Sequence, residues 1–254
     1  MKWMRGRLDG RESWGRLEGD DVLVHEGDLA RGLQPTGARW PLGQVQMLMP
    51  CQPRTMLGLW NNFQALAEKN GWAHPAEPLY FLKAPGSWAG PDTTIPAPPP
   101  EVGRIAYEGE LAVVIGRHTR RVTVEEAPAH IFGYTCANDV TAMELLNRDA
   151  SFAQWTRAKG FNGFGAFGPV IETDFDLSAA VLRTRVGGRE RQNYALADMI
   201  FKPAELVSRI SHDLTLEPGD VILCGTSLGV LPMKPGTEVE VEIDGIGVLR
   251  NRFG

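Results

Sequence analysis

The chain shows short apolar runs separated by turn residues, a pattern typical of a protein built mainly from strands. Residues 111–115 form a continuous apolar run, and Leu79–Leu82 and residues 221–224 form two more. Residues 239–243 alternate apolar residues with glutamate, which predicts a strand with one face in the core and one in water. Asp244-Gly245 follows directly and is a strong hairpin signal. Four strands and one hairpin turn are therefore predicted here.

Three other segments carry the signals of α-helices. Over residues 59–69 apolar residues recur at helical spacing, and Gly71 is positioned to end that helix. A second helix is predicted over residues 142–158. A third is predicted over residues 203–212, where Pro203 suits the first turn because the N–H that it lacks would have no helical partner there.

The first part of the chain differs from the rest. Residues 1–52 are predicted to form short strands and turns, including a hairpin closed by Gly19-Asp20-Asp21. This segment is too small to bury a core alone, so we interpret it as a small N-terminal β cap domain on a main domain of residues 53–254. Strands outnumber helices and do not alternate regularly with them, so the predicted fold class is α+β and β-rich.

Composition excludes several classes of partner. The 254 residues are 43% hydrophobic and 22% charged, with a net charge of −5, which fits a packed globular protein. No basic cluster is interleaved with aromatic residues, so no nucleic-acid partner is expected. No run of about 18 apolar residues could cross a membrane. The first seven residues lack the apolar region of a signal peptide, and a cytoplasmic location is therefore expected.

The three cysteines also indicate a reducing compartment. Cys51, Cys136 and Cys224 are odd in number and widely spaced, which favours free buried thiols in a reducing compartment over a disulfide framework. A nucleophilic cysteine is the alternative, but no histidine lies in a matching motif.

A pair of carboxylates is the first candidate for chemistry. Glu108 and Glu110 enter the apolar run at 111–115, and residues two apart on an extended chain project to the same face. Two carboxylates on one face repel each other unless a cation lies between them, and their oxygens suit Mg²⁺, Mn²⁺ or Ca²⁺. The alternative is a solvated strand edge.

Asp139 is the second acidic candidate. It follows an apolar stretch at residues 131–138, where an unpaired carboxylate would be costly to bury. The alternative is that Asp139 is the N-cap of a helix that includes Thr141-Ala142.

Two further segments could contact a ligand. Lys159 lies among tryptophan, phenylalanine and glycine residues, where a desolvated ammonium would attract an anion or a carbonyl. Alternatively, its stem covers an aromatic patch while the charge reaches water. Gly225 and Thr226 follow a predicted strand directly and could offer N–H groups and a hydroxyl to a ligand carboxylate, or simply form a turn.

Taken in order, these segments resemble the fumarylacetoacetate hydrolase family. The resemblance covers about residues 53–254 and rests on the motifs Phe81-Leu82-Lys83, Tyr107-Glu108-Gly109-Glu110, Gly133-Tyr134-Thr135, Asn138-Asp139, Trp155 to Lys159, Leu216 to Ile222 and Gly225-Thr226.

The resemblance implies a mixed β-sandwich roll that forms homodimers and holds Mg²⁺ or Mn²⁺, with Ca²⁺ as a possible replacement. The expected metal ligands are Glu108, Glu110 and Asp139, and the expected catalytic residue is Lys159. The residues expected to contact substrate are Gly225, Thr226, Lys83 and Phe81.

Family members hydrolyse acylpyruvates, decarboxylate oxo-acids or isomerise hydroxy-dienoates. In each reaction the cation chelates the oxo-acid and stabilises an enolate.

This sequence departs from the family pattern at the predicted lid. Hydrolytic members carry Asn-Tyr-x-x-His-x-x-Glu on a lid helix, where the His–Glu pair activates water. Here Leu66 and Lys69 occupy the His and Glu positions, and leucine cannot accept a proton from water. His74 is the only histidine in the lid region, and it could be the missing base or an exposed turn residue.

A second departure concerns substrate contacts. Many relatives follow the metal aspartate with Arg-Asp-x-Gln, whose Arg and Gln contact substrate. Met143 and Leu146 stand in those two places, so the pocket is either more apolar or uses another arginine, such as Arg148 or Arg157.

Three hypotheses follow for the function. The first is an enzyme that decarboxylates or tautomerises a small 2-oxo or 2-hydroxy-dienoic acid in aromatic catabolism. The second is a C–C bond hydrolase of the acylpyruvate type that uses another base. The third is a non-catalytic protein that binds a metal and an oxo-acid.

Overall fold

The computed structural model describes residues 1–254, which form twenty strands and four α-helices. The helices are α1 (Gln64–Asn70), α2 (Met143–Leu146), α3 (Trp155–Lys159) and α4 (Pro203–Asp213). The strands are β1 (Lys2–Leu8), β2 (Arg11–Glu18), β3 (Asp21–Asp28), β4 (Gly32–Pro41), β5 (Gln46–Met47), β6 (Met56–Trp60), β7 (Leu79–Leu82), β8 (Trp88–Ala89), β9 (Thr94–Ile95), β10 (Ile105–Ala106), β11 (Gly109–Ile115), β12 (Ile131–Asp139), β13 (Thr141–Ala142), β14 (Gly165–Glu172), β15 (Val181–Val186), β16 (Arg189–Ala195), β17 (Val221–Leu223), β18 (Pro232–Met233), β19 (Thr237–Ile243) and β20 (Gly247–Phe253).

The strands form three sheets. The largest has twelve strands and runs in the order β4-β3-β2-β1-β14-β12-β11-β17-β6-β7, with β5 beside β1 and β8 beside β14. A five-stranded sheet, β16-β15-β19-β20-β9, packs against β11, β12 and β14, and a three-stranded sheet is formed by β13-β10-β18. The β17–β6, β14–β8 and β20–β9 pairs are parallel and the others antiparallel, so the fold is α+β, β-rich and mixed, as predicted.

The central strand β11 explains the continuous apolar run. Leu111, Val113 and Ile115 point into the main core, whereas Ala112 and Val114 pack on the opposite side of the sheet. Because both faces of the strand are buried, no polar alternation can occur along it. The two carboxylates at its start are therefore held by a rigid element.

The N-terminal strands extend the large sheet. The predicted hairpin is confirmed, with β2 and β3 pairing as far as Glu18 and Asp21. Strand β1 then pairs with β14, Trp3 lying opposite Ile171, and so joins the first segment of the chain to the second. The division of the chain into domains of residues 1–52 and 53–254 stays a prediction.

The prediction of a helix over residues 59–69 is wrong in its first half. Leu59 belongs to β6 and lies opposite Tyr80 of β7, and Asn61 then takes a positive φ of 55°. Helix α1 starts only at Gln64, and Gly71 ends it in the left-handed conformation, as expected. Pairing with β7 thus outweighed the helical spacing of the apolar residues.

The prediction of one helix over residues 142–158 is also wrong. The segment forms β13, α2, a loop over residues 147–154 and α3. In that loop the Asp149 carboxylate accepts hydrogen bonds from the N–H of Ser151 at 2.9 Å and its hydroxyl at 2.6 Å. Such short polar side chains compete with helical hydrogen bonds. The third predicted helix is confirmed as α4, and no helix is long and apolar enough to cross a membrane.

Candidate active site

The three predicted metal ligands converge at the junction of β11 and β12. In this antiparallel pair Gly109 lies opposite Asn138, and the N–H of Asp139 donates to the Glu108 carbonyl at 2.9 Å. Glu108, Glu110 and Asp139 each place one carboxylate oxygen within 4.8 Å of the others. We call these three residues the carboxylate cluster.

Each glutamate of the cluster has a different set of partners. Glu108 accepts a hydrogen bond from the Thr141 hydroxyl at 2.6 Å and another from Lys159 Nζ at 2.9 Å. Glu110 is fully buried, and its Oε2 accepts from the backbone N–H of Gly225 at 2.7 Å. Its other oxygen, Oε1, is buried without any partner. Glu110 is thus the member whose charge is least compensated.

Two lysines neutralise Asp139. Lys83 Nζ donates to Oδ1, while Lys159 Nζ donates to Oδ2 at 2.7 Å. Lys83 also donates to the Phe164 carbonyl at 2.9 Å. The alternative that Asp139 caps a helix is wrong, because the residue at the N-cap of α2 is Ala142.

The pKa values of the two lysines shift in opposite directions. Burial by itself would lower the pKa of Lys159, but the negative charges of the three carboxylates outweigh it and the pKa lies above its ordinary value. Burial lowers the pKa of Lys83, against the attraction of Asp139. Lys159 therefore remains an ammonium at neutral pH, and the idea that it merely covers an aromatic patch while its charge reaches water is wrong.

The carboxylates behave differently from one another. Burial raises the pKa of Glu110 well above its ordinary value, and the charges of Asp139 and Glu108 add to this. Burial also opposes ionisation of Asp139, but the adjacent Lys159 and Lys83 ammoniums outweigh it and lower the pKa. Three carboxylates face two ammoniums, and Glu110 is the one that accepts no hydrogen bond from either of them.

A hard divalent cation fits this deficit. The donors are carboxylate oxygens only, which suit Mg²⁺, Mn²⁺ or Ca²⁺ better than soft metals. The buried Oε1 of Glu110 has no protein partner and would gain a ligand. Glu108, Glu110 and Asp139 are the residues that would hold the ion.

Gly58 allows the surrounding strands to approach the cluster. A Cβ at this position would meet the Phe81 ring at 2.5 Å and Asp139 Oδ2 at 3.3 Å. Any larger residue would displace the aromatic ring or the carboxylate. The sequence offered no signal that would single out this glycine.

A cavity of about 200 Å³ opens beside the cluster, smaller than the ~300–1,000 Å³ of sites for drug-sized ligands. Eleven residues line it: Leu59, Trp60, Phe81, Ala106, Glu108, Thr141, Met143, Leu146, Trp155, Lys159 and Val230. A larger concavity of about 760 Å³ lies between the N-terminal strands and residues 86–96, but it contains no member of the cluster. The smaller cavity is the candidate site because Glu108 of the cluster and Lys159 both line it.

Aromatic rings form one side of this cavity. Phe81 stacks on Trp155 with ring centroids 5.0 Å apart and planes 14° apart, and Trp60 meets Trp155 at 6.3 Å. Lys159 Nζ lies 5.2 Å from the centre of the Phe81 ring. Phe81 and Lys159 therefore both reach the space where a small ligand would bind.

The other predicted substrate contacts lie behind the cavity wall. The Thr226 hydroxyl donates to the Gly109 carbonyl at 3.0 Å and accepts from Gln192 Nε2 at 2.8 Å. Gly225 uses its N–H on Glu110, and Lys83 is buried against Asp139. None of the three predicted contacts lines the cavity, so their substrate roles stay predictions.

The predicted lid residues also lie outside the cavity lining. Leu66 packs against the main core, whereas Lys69 and His74 are exposed. Their role in a lid stays a prediction.

The replaced substrate contacts do face the cavity: Met143 and Leu146 are both part of its wall. The Arg148 guanidinium donates to the carbonyls of Glu101 and Val102, both at 2.9 Å. Arg157 is exposed and does not line the cavity. The cavity lining thus contains Met143 and Leu146 and no arginine, which favours the more apolar of the two alternatives.

The cysteines take no part in the site. All three are free and buried, as predicted. Burial raises the pKa of Cys136 to about 12, and it also raises the pKa of Cys51 and of Cys224. The thiols therefore stay protonated, which disfavours the alternative of a nucleophilic cysteine.

Two residues of the site were missed as functional candidates. Thr141 donates a hydrogen bond to Glu108 and lines the cavity, a role that its position after Asp139 in the sequence did not predict. Trp60 closes the aromatic side of the cavity. Only the pairing of β6 with β7 brings Trp60 to that position.

Comparison with known proteins agrees with this geometry. The family described as Fumarylacetoacetate (FAA) hydrolase C-terminal matches residues 55–254. This chain belongs to the fumarylacetoacetate hydrolase family. A second family, described as Rv2993c-like, N-terminal, matches residues 1–50 of this family member.

Individual relatives cover most of this fumarylacetoacetate hydrolase family chain. An uncharacterized protein from Archaeoglobus fulgidus is 42% identical, with 85% of this chain and 84% of that protein aligned. Oxaloacetate tautomerase YisK from Bacillus subtilis is 31% identical, over 93% of this chain and 84% of that protein. The crystal structure of 5-carboxymethyl-2-hydroxymuconate delta-isomerase from Mycobacterium smegmatis superposes with a TM-score of 0.91 at 34% identity, covering 100% and 99% of the two chains.

Proposed function

We propose that this protein is a divalent-metal-dependent enzyme that isomerises or decarboxylates a small 2-oxo or 2-hydroxy-dienoic acid in aromatic catabolism. The observation that carries the proposal is the convergence of three carboxylates and Lys159 beside a small cavity. The relatives named as a tautomerase and a delta-isomerase support a reaction in which a proton moves next to a carbonyl group.

The cation, held by Glu108, Glu110 and Asp139 as Mg²⁺ or Mn²⁺, would supply a Lewis acid for the oxygens of an oxo-acid. Lys159 remains an ammonium, so it can donate a hydrogen bond to an oxygen that becomes negative as a C–H or C–C bond breaks. Thr141 keeps Glu108 oriented during this step. The stacked Phe81 and Trp155 exclude water from the same space.

The lining of the cavity favours this reaction over C–C bond hydrolysis. Hydrolysis needs a base that activates water, and no histidine is among the eleven lining residues. Leu66 packs on the core, and His74 is exposed outside the lining. With no histidine there to activate water, an enolate would instead take up a proton at carbon.

Product analysis tests the proposal. With Mg²⁺ we expect conversion of at least one of three compounds, the enol of oxaloacetate, the enol of phenylpyruvate or a 2-hydroxy-dienedioate, and loss of this activity in EDTA. Acetylpyruvate should be cleaved more slowly by the ~10²–10⁴-fold that a positioned general base contributes. Efficient release of acetate and pyruvate would instead identify a hydrolase. A lack of turnover of every substrate would favour a non-catalytic metal and oxo-acid binding protein.

We also expect the protein to be a homodimer. Strand β7 ends the large sheet and exposes two large apolar side chains, Leu79 at 42% and Leu82 at 58%. Exposed apolar residues on an edge strand are typical of an interface. Light scattering should give twice the chain mass of 27.9 kDa.

A matched pair of variants tests the location of the interface. Leu82→Lys should shift the mass towards the monomer, whereas Val124→Lys, a change at an exposed residue of a surface turn, should not. A monomeric mass of the unmodified protein at working concentration would contradict the prediction.

A further inference from the structure

The polar groups of the cavity all lie at one end. Eight of the eleven lining residues are apolar, and the other three are Glu108, Thr141 and Lys159. These three are joined to one another, because the Thr141 hydroxyl and the Lys159 ammonium both donate to Glu108. The remaining wall carries no charged side chain.

The cavity has a single cationic residue. Lys159 is the only lysine or arginine in the lining, and it already contacts two carboxylates. Lys83 is buried behind the wall against Asp139. A ligand carboxylate can therefore be compensated only at the cluster end of the cavity.

No arginine lines the cavity to compensate a second carboxylate. Arg148 is bound to two backbone carbonyls, and Arg104 forms an ion pair with Glu144 on the surface. A carboxylate at the far end would lie beside Met143 and Leu146. It would lose part of its hydration there without gaining a cationic partner, which is unfavourable.

The same end of the cavity suits a flat apolar group. Trp155 is stacked on Phe81 and approached by Trp60, and it faces the same space as Met143 and Leu146. Aromatic faces pack well against another ring, and the flexible methionine side chain can adjust its conformation to the shape of that ring.

We propose that the substrate is a monocarboxylate, namely a 2-oxo or 2-enol acid whose opposite end is an apolar group such as a phenyl ring. Its single carboxylate lies at the carboxylate cluster, and its apolar group contacts Met143, Leu146 and Trp155. This inference rests on the proposed function and narrows its substrate class. It separates this chain from the relative whose name specifies oxaloacetate, a dicarboxylate.

The first test compares two enols with the metal-loaded protein. We expect kcat/KM for the enol of phenylpyruvate to exceed that for the enol of oxaloacetate by at least ~10-fold, as apolar pockets discriminate on this scale or more. Leu146→Arg places a cation in the wall and should lower or reverse this ratio. Val124→Arg adds the same charge on the surface and should leave the ratio unchanged.

A binding measurement on the unmodified protein keeps the inference testable if Leu146→Arg does not fold. Phenylglyoxylate and ketomalonate are both 2-oxo-carboxylates without an enolisable hydrogen, and they differ in carrying a phenyl or a second carboxylate group. Calorimetry with Mn²⁺ present should give a Kd at least ~10-fold lower for phenylglyoxylate.

The outcomes distinguish the two proposals. Preference for the oxaloacetate enol, or equal use of both enols, would overturn the monocarboxylate inference while the proposed function stands. If neither enol reacts and no 2-oxo or 2-hydroxy-dienoic acid is isomerised or decarboxylated, the proposed function fails. Calorimetry then decides the inference. Tighter binding of phenylglyoxylate would then support it, whereas tighter binding of ketomalonate, equal binding or no binding would overturn it.

Discussion

Replacing Glu110 with glutamine is expected to remove both metal binding and metal-dependent turnover. Glu110 is fully buried, has one oxygen without a protein partner, and is the member of the carboxylate cluster that forms no ion pair with a lysine. Glutamine keeps the shape but removes the charge that a divalent cation requires. The loss of turnover should exceed the ~10–100-fold that altered outer-shell partners typically cost.

Thermal unfolding provides a readout that is independent of activity. A cation at 100 times its Kd adds ~2.7 kcal/mol to the free energy of unfolding, so Mg²⁺ or Mn²⁺ should raise the Tm of the unmodified protein. In Glu110→Gln this shift should largely disappear.

The matched control is Glu238→Gln, the same change at an exposed position of β19. This variant should keep both the shift in Tm and the turnover. If Glu110→Gln behaves like the control, the cation is not held at the cluster.

Replacing Lys159 with methionine should depress turnover while metal binding remains. Lys159 is the only ammonium that lines the cavity, and its raised pKa keeps it charged. Methionine preserves most of the apolar stem but cannot donate to a developing negative oxygen. Removing one such donor typically costs ~10²–10³-fold in kcat.

Three measurements separate this role from a purely structural one. The metal-dependent rise in Tm should persist in Lys159→Met, because all three carboxylates remain. Lys234→Met, a change at an exposed lysine before β19, should leave kcat unchanged. A Lys159→Met protein that folds, binds the cation and keeps kcat within a few-fold of the unmodified protein would refute a catalytic role. Loss of the Tm shift would indicate that Lys159 mainly holds the carboxylates in place.

Local signals in the sequence were sufficient for several parts of the fold. The Gly19-Asp20-Asp21 turn, the alternation along β19 and the proline at the start of α4 each predicted an element that the structure contains. The same-face geometry of Glu108 and Glu110 also follows from two positions on one extended segment. Each of these features is formed by residues only a few positions apart, so a short segment of sequence is sufficient to predict it.

Contacts between residues that are far apart in the sequence could not be predicted from such local signals. Lys83 neutralises Asp139, although the two residues are 56 positions apart in the sequence. The family resemblance had led us to expect Lys83 to contact the substrate, not to be a buried counter-ion. The start of α1 was misplaced because Leu59 pairs with Tyr80, and spacing alone does not show which strand a residue will meet.

Determining how apolar the cavity wall is required both the sequence and the tertiary structure. The sequence by itself determined that Met143 and Leu146 replace the polar residues of many relatives, but it left open whether Arg148 or Arg157 compensates. Only the tertiary structure decided this, since Arg148 is bound to backbone carbonyls and Arg157 is exposed outside the cavity lining. The physical reason is that residue type sets which interactions a side chain can make, whereas long-range packing and desolvation determine which of them it does make.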